Sequence, residues 1–267
     1  MQKTVSIVIP AFNEAENLPA LLAQVHEAFA ALLDCSYECI VVNDASTDDT
    51  DRILRELACA YPALRYVRMT RNSGQSAALL AGMRRSVGDY IITLDADLQN
   101  DPQDIPKLVT ALEHADCVCG YRESRQDTAF KRLTSFLGNR VRRWIVDDGV
   151  RDAGCGIKGF RRACLEHIVP FHGVHRFFAA MARNGGLTVV EVPVQHHPRI
   201  HGESKYGFLN RVFWVLYDFF GVAWIRKRYL IPVCEEEILH QPVGGATNGA
   251  GAAPSGAPAE TGERSHE

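Results

Sequence analysis

Tyr90-Ile-Ile-Thr-Leu-Asp95-Ala-Asp97-Leu-Gln99 is the stretch on which the reading of this chain turns. Its first half is a short apolar run rich in β-branched residues, bounded by Gly88-Asp89 and by acids, which is the pattern of a buried strand. Similar runs occur at Val5–Pro10, Glu38–Asn43, Leu64–Met69 and Cys117–Tyr121. Between them lie stretches with helical apolar spacing, Leu18–Leu33, Thr50–Ala60, Ala77–Arg85 and Ile105–Glu113. Strand and helix in alternation predict βαβ crossovers, hence an α/β fold with a mostly parallel central sheet and helices on both faces. Ligands of such sheets bind beyond the carboxyl ends of the strands.

The second half of the opening stretch sits at such an end. Two carboxylates at i and i+2 on the turn leaving a strand can face one point, and Gln99 adds a neutral oxygen. Hard oxygen donors of this kind suit Mg²⁺ or Mn²⁺, with phosphate oxygens completing the octahedron. The competing reading is that both aspartates cap a helix starting at Pro102. Two further acidic strand ends, Pro10-Ala-Phe-Asn13-Glu14 and Asn43-Asp44-Ala-Ser-Thr47-Asp48, fall on the same sheet edge. In the second, a carboxylate can accept from a base N–H while the hydroxyls start the next helix. No GxGxxG follows the first strand and no GxxxxGK[ST] occurs, so dinucleotide and P-loop phosphate cradles are missing.

Composition narrows the classes. The 267 residues include 29 Lys/Arg against 32 Asp/Glu, a net charge of −3, with 46% hydrophobic residues. This is an ordinary globular balance with no global basic field for nucleic acid. The eight cysteines lack paired spacing and read as small buried hydrophobes in a reduced chain. No secretory leader or spanning run is expected. The charge is divided, however: residues 1–116 hold 9 Lys/Arg against 17 Asp/Glu, whereas residues 117–242 hold 19 against 12. A cation site beside an anion site, or an anionic surface, would use that division; so would chance patterning of solvated faces.

Ile9-Pro-Ala-Phe-Asn-Glu-Ala-Glu-Asn-Leu, Asn43-Asp-Ala-Ser-Thr-Asp and Leu94-Asp-Ala-Asp-Leu-Gln-Asn-Asp-Pro, in that order, resemble the family 2 inverting glycosyltransferases. The particular likeness is to polyprenyl- or dolichyl-phosphate sugar synthases of the dolichol-phosphate mannosyltransferase type, over roughly residues 3–230. It implies a GT-A fold, a single Rossmann-like nucleotide-binding domain over residues 1–205. It implies inverting transfer of a sugar from a GDP- or UDP-sugar to a polyprenyl phosphate, at the cytosolic face of a membrane. Pro10, Asn13, Glu14 and Asp44 would hold base and ribose. Asp95, Asp97 and Gln99 would surround the metal and diphosphate, with Asp97 central to catalysis. Arg122, Lys131, Arg132 and Ser135 match the region that receives the acceptor phosphate. Arg199 and Lys205 match a loop closing over the diphosphate, and Asp152 begins an acidic, Gly-rich segment near the sugar. Two alternatives stand beside this reading. One is transfer to a sugar hydroxyl, for which Asp152 is the one candidate base. The other is a non-catalytic nucleotide-sugar-binding module.

Two segments concern the membrane. Arg122 to Arg143 carries seven Lys/Arg against two acids within a basic helical stretch, suited to a lipid phosphate or to a solvated surface. Phe208–Ile225 is apolar and aromatic, with Arg211 and Asp218 on one stripe and Arg226-Lys-Arg behind it. It is expected to lie in the headgroup plane as part of a juxtamembrane helical segment, 206–231, giving peripheral attachment. A core helix or a face between two copies is the alternative. Residues 243–267, rich in Gly, Ala and Pro, read as a disordered tail. His196, His197 and His201 are read as shaping a loop, since Pro198 interrupts any helical pairing of metal ligands.

Overall fold

In the computed structural model of the chain the described residues are 3–30, 32, 35–122, 142, 145–146, 148–198 and 208–230. Lys131, Arg132, Ser135, Arg199, Lys205 and His201 lie outside them, as do most of the basic stretch 130–146 and the tail 243–267. The fold follows from the alternation. Strands β1 (Lys3–Ala11), β2 (Cys35–Asn43), β3 (Leu64–Arg68) and β4 (Tyr90–Thr93) are joined by helices α1 (Leu18–Ala30), α2 (Thr50–Ala60) and α3 (Gln75–Arg85). Then come α4 (Ile105–Ala111), β5 (Cys117–Arg122), β6 (Lys158–Arg161), α5 (Phe178–Asn184), β7 (Val189–Val194) and α6 (Phe208–Arg228). The seven strands form one sheet in the order β3-β2-β1-β4-β6-β5-β7. All neighbours are parallel except β6, which runs antiparallel between β4 and β5.

Both faces are buried because both sets of alternating side chains are apolar. Val5, Ile7 and Ile9 of β1 pack with Leu21, Val25, Leu54 and Leu108 from α1, α2 and α4. Val8 and Ile91 pack on the other face with Leu79, Met83 and Phe178 from α3 and α5. Cys39, Cys117, Cys119, Cys155 and Cys164 are buried free thiols, as expected of small hydrophobes.

The lower end of the sheet is closed by a polar knot. Ser6 and Glu38 face each other across β1 and β2. The Ser6 hydroxyl donates to Glu38 at 2.6 Å, the Val87 N–H at 2.7 Å, and the Arg65 guanidinium at 2.5 Å. Burial pushes the Glu38 carboxyl up, but these three donors outweigh it and hold the group below its ordinary value.

Residues 154–159, within the Gly-rich segment that Asp152 begins, lead into and begin β6, whose partners on both sides supply the pairing that its own residues do not advertise. One expectation changes. Asp218, placed on a polar stripe of the last helix, points into the domain and pairs with Arg176 at 3.6 Å. Burial raises its carboxyl, with Arg176 and His172 opposing. The outward face of α6 carries Tyr217, Phe220 and Trp224, each about two-thirds exposed, while Phe219 and Val222 pack on Phe177, Ala180 and Met181. Among the described residues no helix is long and apolar enough to cross a membrane.

Candidate donor-binding site

Because β1 lies between β2 and β4, the connections leaving it diverge at its carboxyl end, where open α/β sheets open a crevice. Antiparallel β6 brings its amino-terminal end to that same edge, and β5 ends there with Arg122. Three loops form the rim, and each contains one non-glycine residue with a left-handed backbone: Asn13 (φ 57°), Ala45 (φ 56°) and Leu98 (φ 59°). Such conformations cost on the order of 1–3 kcal/mol for residues other than Gly and Asn, here Ala45 and Leu98, and persist where surrounding contacts enforce them.

The enforcing contacts are visible. The Asn13 N–H donates to the Ser46 hydroxyl at 2.9 Å, and the Asn13 amide oxygen accepts the Thr47 N–H at 2.8 Å. The Glu14 N–H donates to Thr50 Oγ1 at 3.0 Å, and the Asn17 amide holds the Glu14 carboxylate at 2.7 Å. The hydroxyls expected to start α2 therefore serve mainly to stitch its loop to the loop after β1. Asp49 occupies the cap position of α2 without a side-chain cap bond, and Asp48 accepts the Thr50 N–H at 3.0 Å. Pro10 lies opposite Val42, one residue before the last pair of β1 and β2, Ala11 with Asn43. Asp44 is buried, and its two oxygens accept the N–H groups of Ser73 and Gly74 at 2.8 and 2.7 Å, fixing the start of α3.

That start matters because Gln75, its next residue, donates to Asp95 Oδ1 at 2.8 Å. Asp95, Asp97 and Gln99 are all half-buried, alternating with the buried Ala96 and Leu98. Desolvation, then the neighbouring Asp97 charge, pushes the Asp95 carboxyl up to about 6; Lys158 and Gln75 oppose this, and Glu14 adds to it. Asp97 Oδ1 accepts the Gln99 N–H at 3.2 Å. The capping alternative for these aspartates is answered by Asp101, which accepts the Gln103 N–H at the turn beginning with Pro102.

Sequence reading missed four contributors to this corner: Gln75, Gly156, Lys158 and Leu98. In the antiparallel register of β4 and β6, Thr93 pairs with Lys158, which brings Gly156 alongside Asp95. A Cβ at Gly156 would collide with the Asp95 carboxylate. Lys158 is buried, its ammonium donating to the Cys155 carbonyl. The contacts of Gln75, Gly156 and Lys158 join residues that lie far apart in the chain, so no local motif reports them.

Arg122 and Asp152 come together as a bidentate pair, with Nε and Nη2 donating to the two carboxylate oxygens at 2.7 and 2.9 Å, both side chains largely buried. The segment after β7 clips onto the acidic loop: the His197 N–H donates to the Gln99 carbonyl at 2.9 Å, and its ring lies 3.2 Å from Asp101. Among the described residues no group of three or more His, Cys, Asp or Glu side chains forms a metal cluster. The donor set here is two carboxylates and an amide, which leaves coordination positions for phosphate oxygens.

A mostly parallel sheet with acidic loops converging at this switch point defines a GT-A domain. Among solved structures the chain is similar to a Mycobacterium tuberculosis glucosyl-3-phosphoglycerate synthase in complex with Mn²⁺, UDP and glucosyl-3-phosphoglycerate. The TM-score is 0.61 at 21% identity, over 84% of this chain and 80% of that one. It is similar also to the Pyrobaculum calidifontis mannosyltransferase PcManGT in complex with GDP-Man and Mn²⁺ (TM-score 0.56, 21% identity, 72% and 55% of the chains). The chain belongs to glycosyl transferase family 2, whose sequence profile matches residues 6–169. Curated relatives include the undecaprenyl-phosphate 4-deoxy-4-formamido-L-arabinose transferase of Klebsiella pneumoniae subsp. pneumoniae, 39% identical over 218 residues, or 81% of this chain. The transferase of the same name from Edwardsiella ictaluri is 37% identical over 211 residues. The chain spans 66% and 64% of the lengths of these two relatives.

Proposed function

We propose that the chain transfers a monosaccharide from a GDP- or UDP-sugar to a polyprenyl phosphate, with inversion at the anomeric carbon. Pro10, Asn13, Glu14 and Asp44 line the nucleoside end of the donor. Asp95, Asp97 and Gln99 are the residues that would hold Mg²⁺ or Mn²⁺. Their fit to a dication is supported by the state of Asp95, whose ionised form is disfavoured first by burial and then by the Asp97 charge, with Lys158 and Gln75 only partly offsetting both. Held by these residues, a dication would supply positive charge to the departing nucleoside diphosphate. Arg199 and Lys205 are proposed to act on the same leaving group, and Lys131, Arg132 and Ser135 on the acceptor phosphate.

The observation that carries the choice of acceptor is the state of Asp152. Attack by a sugar hydroxyl needs a general base within reach. Both oxygens of Asp152, the candidate base, already accept N–H groups from Arg122. A phosphate monoester has lost its proton near neutral pH and attacks without a base. Arg122 then serves by orienting Asp152 at the sugar end and adding positive charge beside the incoming phosphate. The names of the curated relatives, which specify undecaprenyl phosphate, point the same way.

A lipid acceptor calls for a membrane surface. The outward Tyr217, Phe220 and Trp224 and the terminal Arg226, Lys227 and Arg228 of α6 support peripheral docking in the headgroup plane. The test offers radiolabelled GDP- and UDP-sugars with Mn²⁺ to the full chain, with either polyprenyl phosphate or soluble glycans. Label in the lipid fraction is expected; label in glycan alone would overturn the proposal.

A further inference from the structure

We infer that Leu98 is the positioning residue of the acidic motif: its buried side chain holds the left-handed turn across which Asp97 meets the Gln99 N–H. The inference rests on the donor-site reading above and adds a residue to it.

Leu98 is an aliphatic residue at φ 59°, a conformation its side chain disfavours. It is 8% exposed and belongs to the same core cluster as Ile92, Leu94, Ile105 and Leu108. Gly or Asn would adopt this backbone without strain. A Leu here therefore answers a second requirement, and the neighbouring contacts show what it is. The turn at Leu98 lets Asp97 Oδ1 accept the Gln99 N–H at 3.2 Å, closing a two-residue loop. Gln99 is held in turn by its carbonyl, which accepts the His197 N–H at 2.9 Å, and Asn100 bridges to His196. The loop is thus tied at Gln99 and Asn100 to the segment after β7, Asn100 also accepts from the buried Cys155 thiol, and Ala96 and Leu98 anchor the loop to the core. Ala96 offers one methyl group. Leu98 is therefore the larger apolar anchor beneath the turn that places Asp97.

The test compares Leu98→Met, Leu98→Gly and Leu98→Asn in the full chain. Met keeps volume and lacks a β-branch; Gly and Asn accept the backbone but lose the anchor. Two measurements decide. In ligand-free crystal structures, the Asp97–Gln99 contact is expected to persist in Leu98→Met and to be lost or multiply placed in the other two. In calorimetric titrations with Mn²⁺ and UDP or GDP, Leu98→Met should bind within about threefold of wild type, and Leu98→Gly and Leu98→Asn at least about tenfold more weakly. Circular dichroism of each variant should match wild type. Retention of both the contact and the affinity in Leu98→Gly or Leu98→Asn overturns the inference. If wild type itself binds neither nucleotide with Mn²⁺, the donor-site reading fails, and the crystallographic comparison alone still decides the role of Leu98.

Discussion

Asp95 and Asp97 occupy opposite sides of a compromise. Burial and the neighbouring carboxylate make the ionised Asp95 unfavourable, so the free protein is less stable for having it. Asp95→Asn should therefore stabilise the metal-free protein, on the order of 1–2 kcal/mol, read as a rise in the thermal midpoint. The same variant should lose transfer. Asp97→Ala removes a donor oxygen and the contact to the Gln99 N–H, and turnover is expected to fall at least about 10²-fold. Near-normal turnover in Asp97→Ala would contradict a metal role for this side chain. Both aspartates were legible because they follow a strand directly. Gln75 and Lys158 were not, since one opens a helix twenty residues earlier and the other sits on a strand that no local pattern announces.

Among the elements, the apolar runs of β1 to β5 and the helical spacing of α1 to α4 lie within a few residues of the observed bounds. Their signal is strong because parallel strands buried on both faces need continuous β-branched runs. β6 was missed: Lys158-Gly-Phe-Arg161 has no β-forming character beyond Phe160, and two neighbouring strands impose its conformation. The polar knot at the start of β2 yields a test at this scale. The folded-state proton affinity of Glu38 is depressed, so the stability it contributes is present above its ordinary value of 4.5 and lost as pH falls through the lower folded value. Urea midpoints of wild type should drop between about pH 5 and pH 3, and Glu38→Gln should start lower, by about 1–3 kcal/mol, with a shallower slope there. Parallel slopes for the two proteins would remove Glu38 from acid unfolding.

On the scale of the molecule, the acidic first half supplies the three rim loops and the basic second half contains α6. Phe220 and Trp224 on its outer face are about two-thirds exposed, so replacing them spares the fold. Phe220→Ser with Trp224→Ser should leave the thermal midpoint nearly unchanged yet lower partitioning onto anionic phospholipid vesicles, by roughly tenfold or more. Equal co-sedimentation of wild type and variant would sink the docking proposal. This segment is a helix over Phe208–Arg228, and its polarity was only half legible: Asp218 faces inward because Arg176 awaits it there.

The reversed strand β6 also orders events during synthesis. β5 leaves the ribosome before β6, yet β6 is the element that joins it to β4. Until residue 161 emerges, β4 is a bare edge, and β5 has no neighbour to dock against. At roughly 5–20 residues per second this interval lasts several seconds, during which the nascent four-strand half offers an open template to other chains. Ribosome-bound fragments ending between β5 and β6 should accordingly be the ones most in need of chaperone cover.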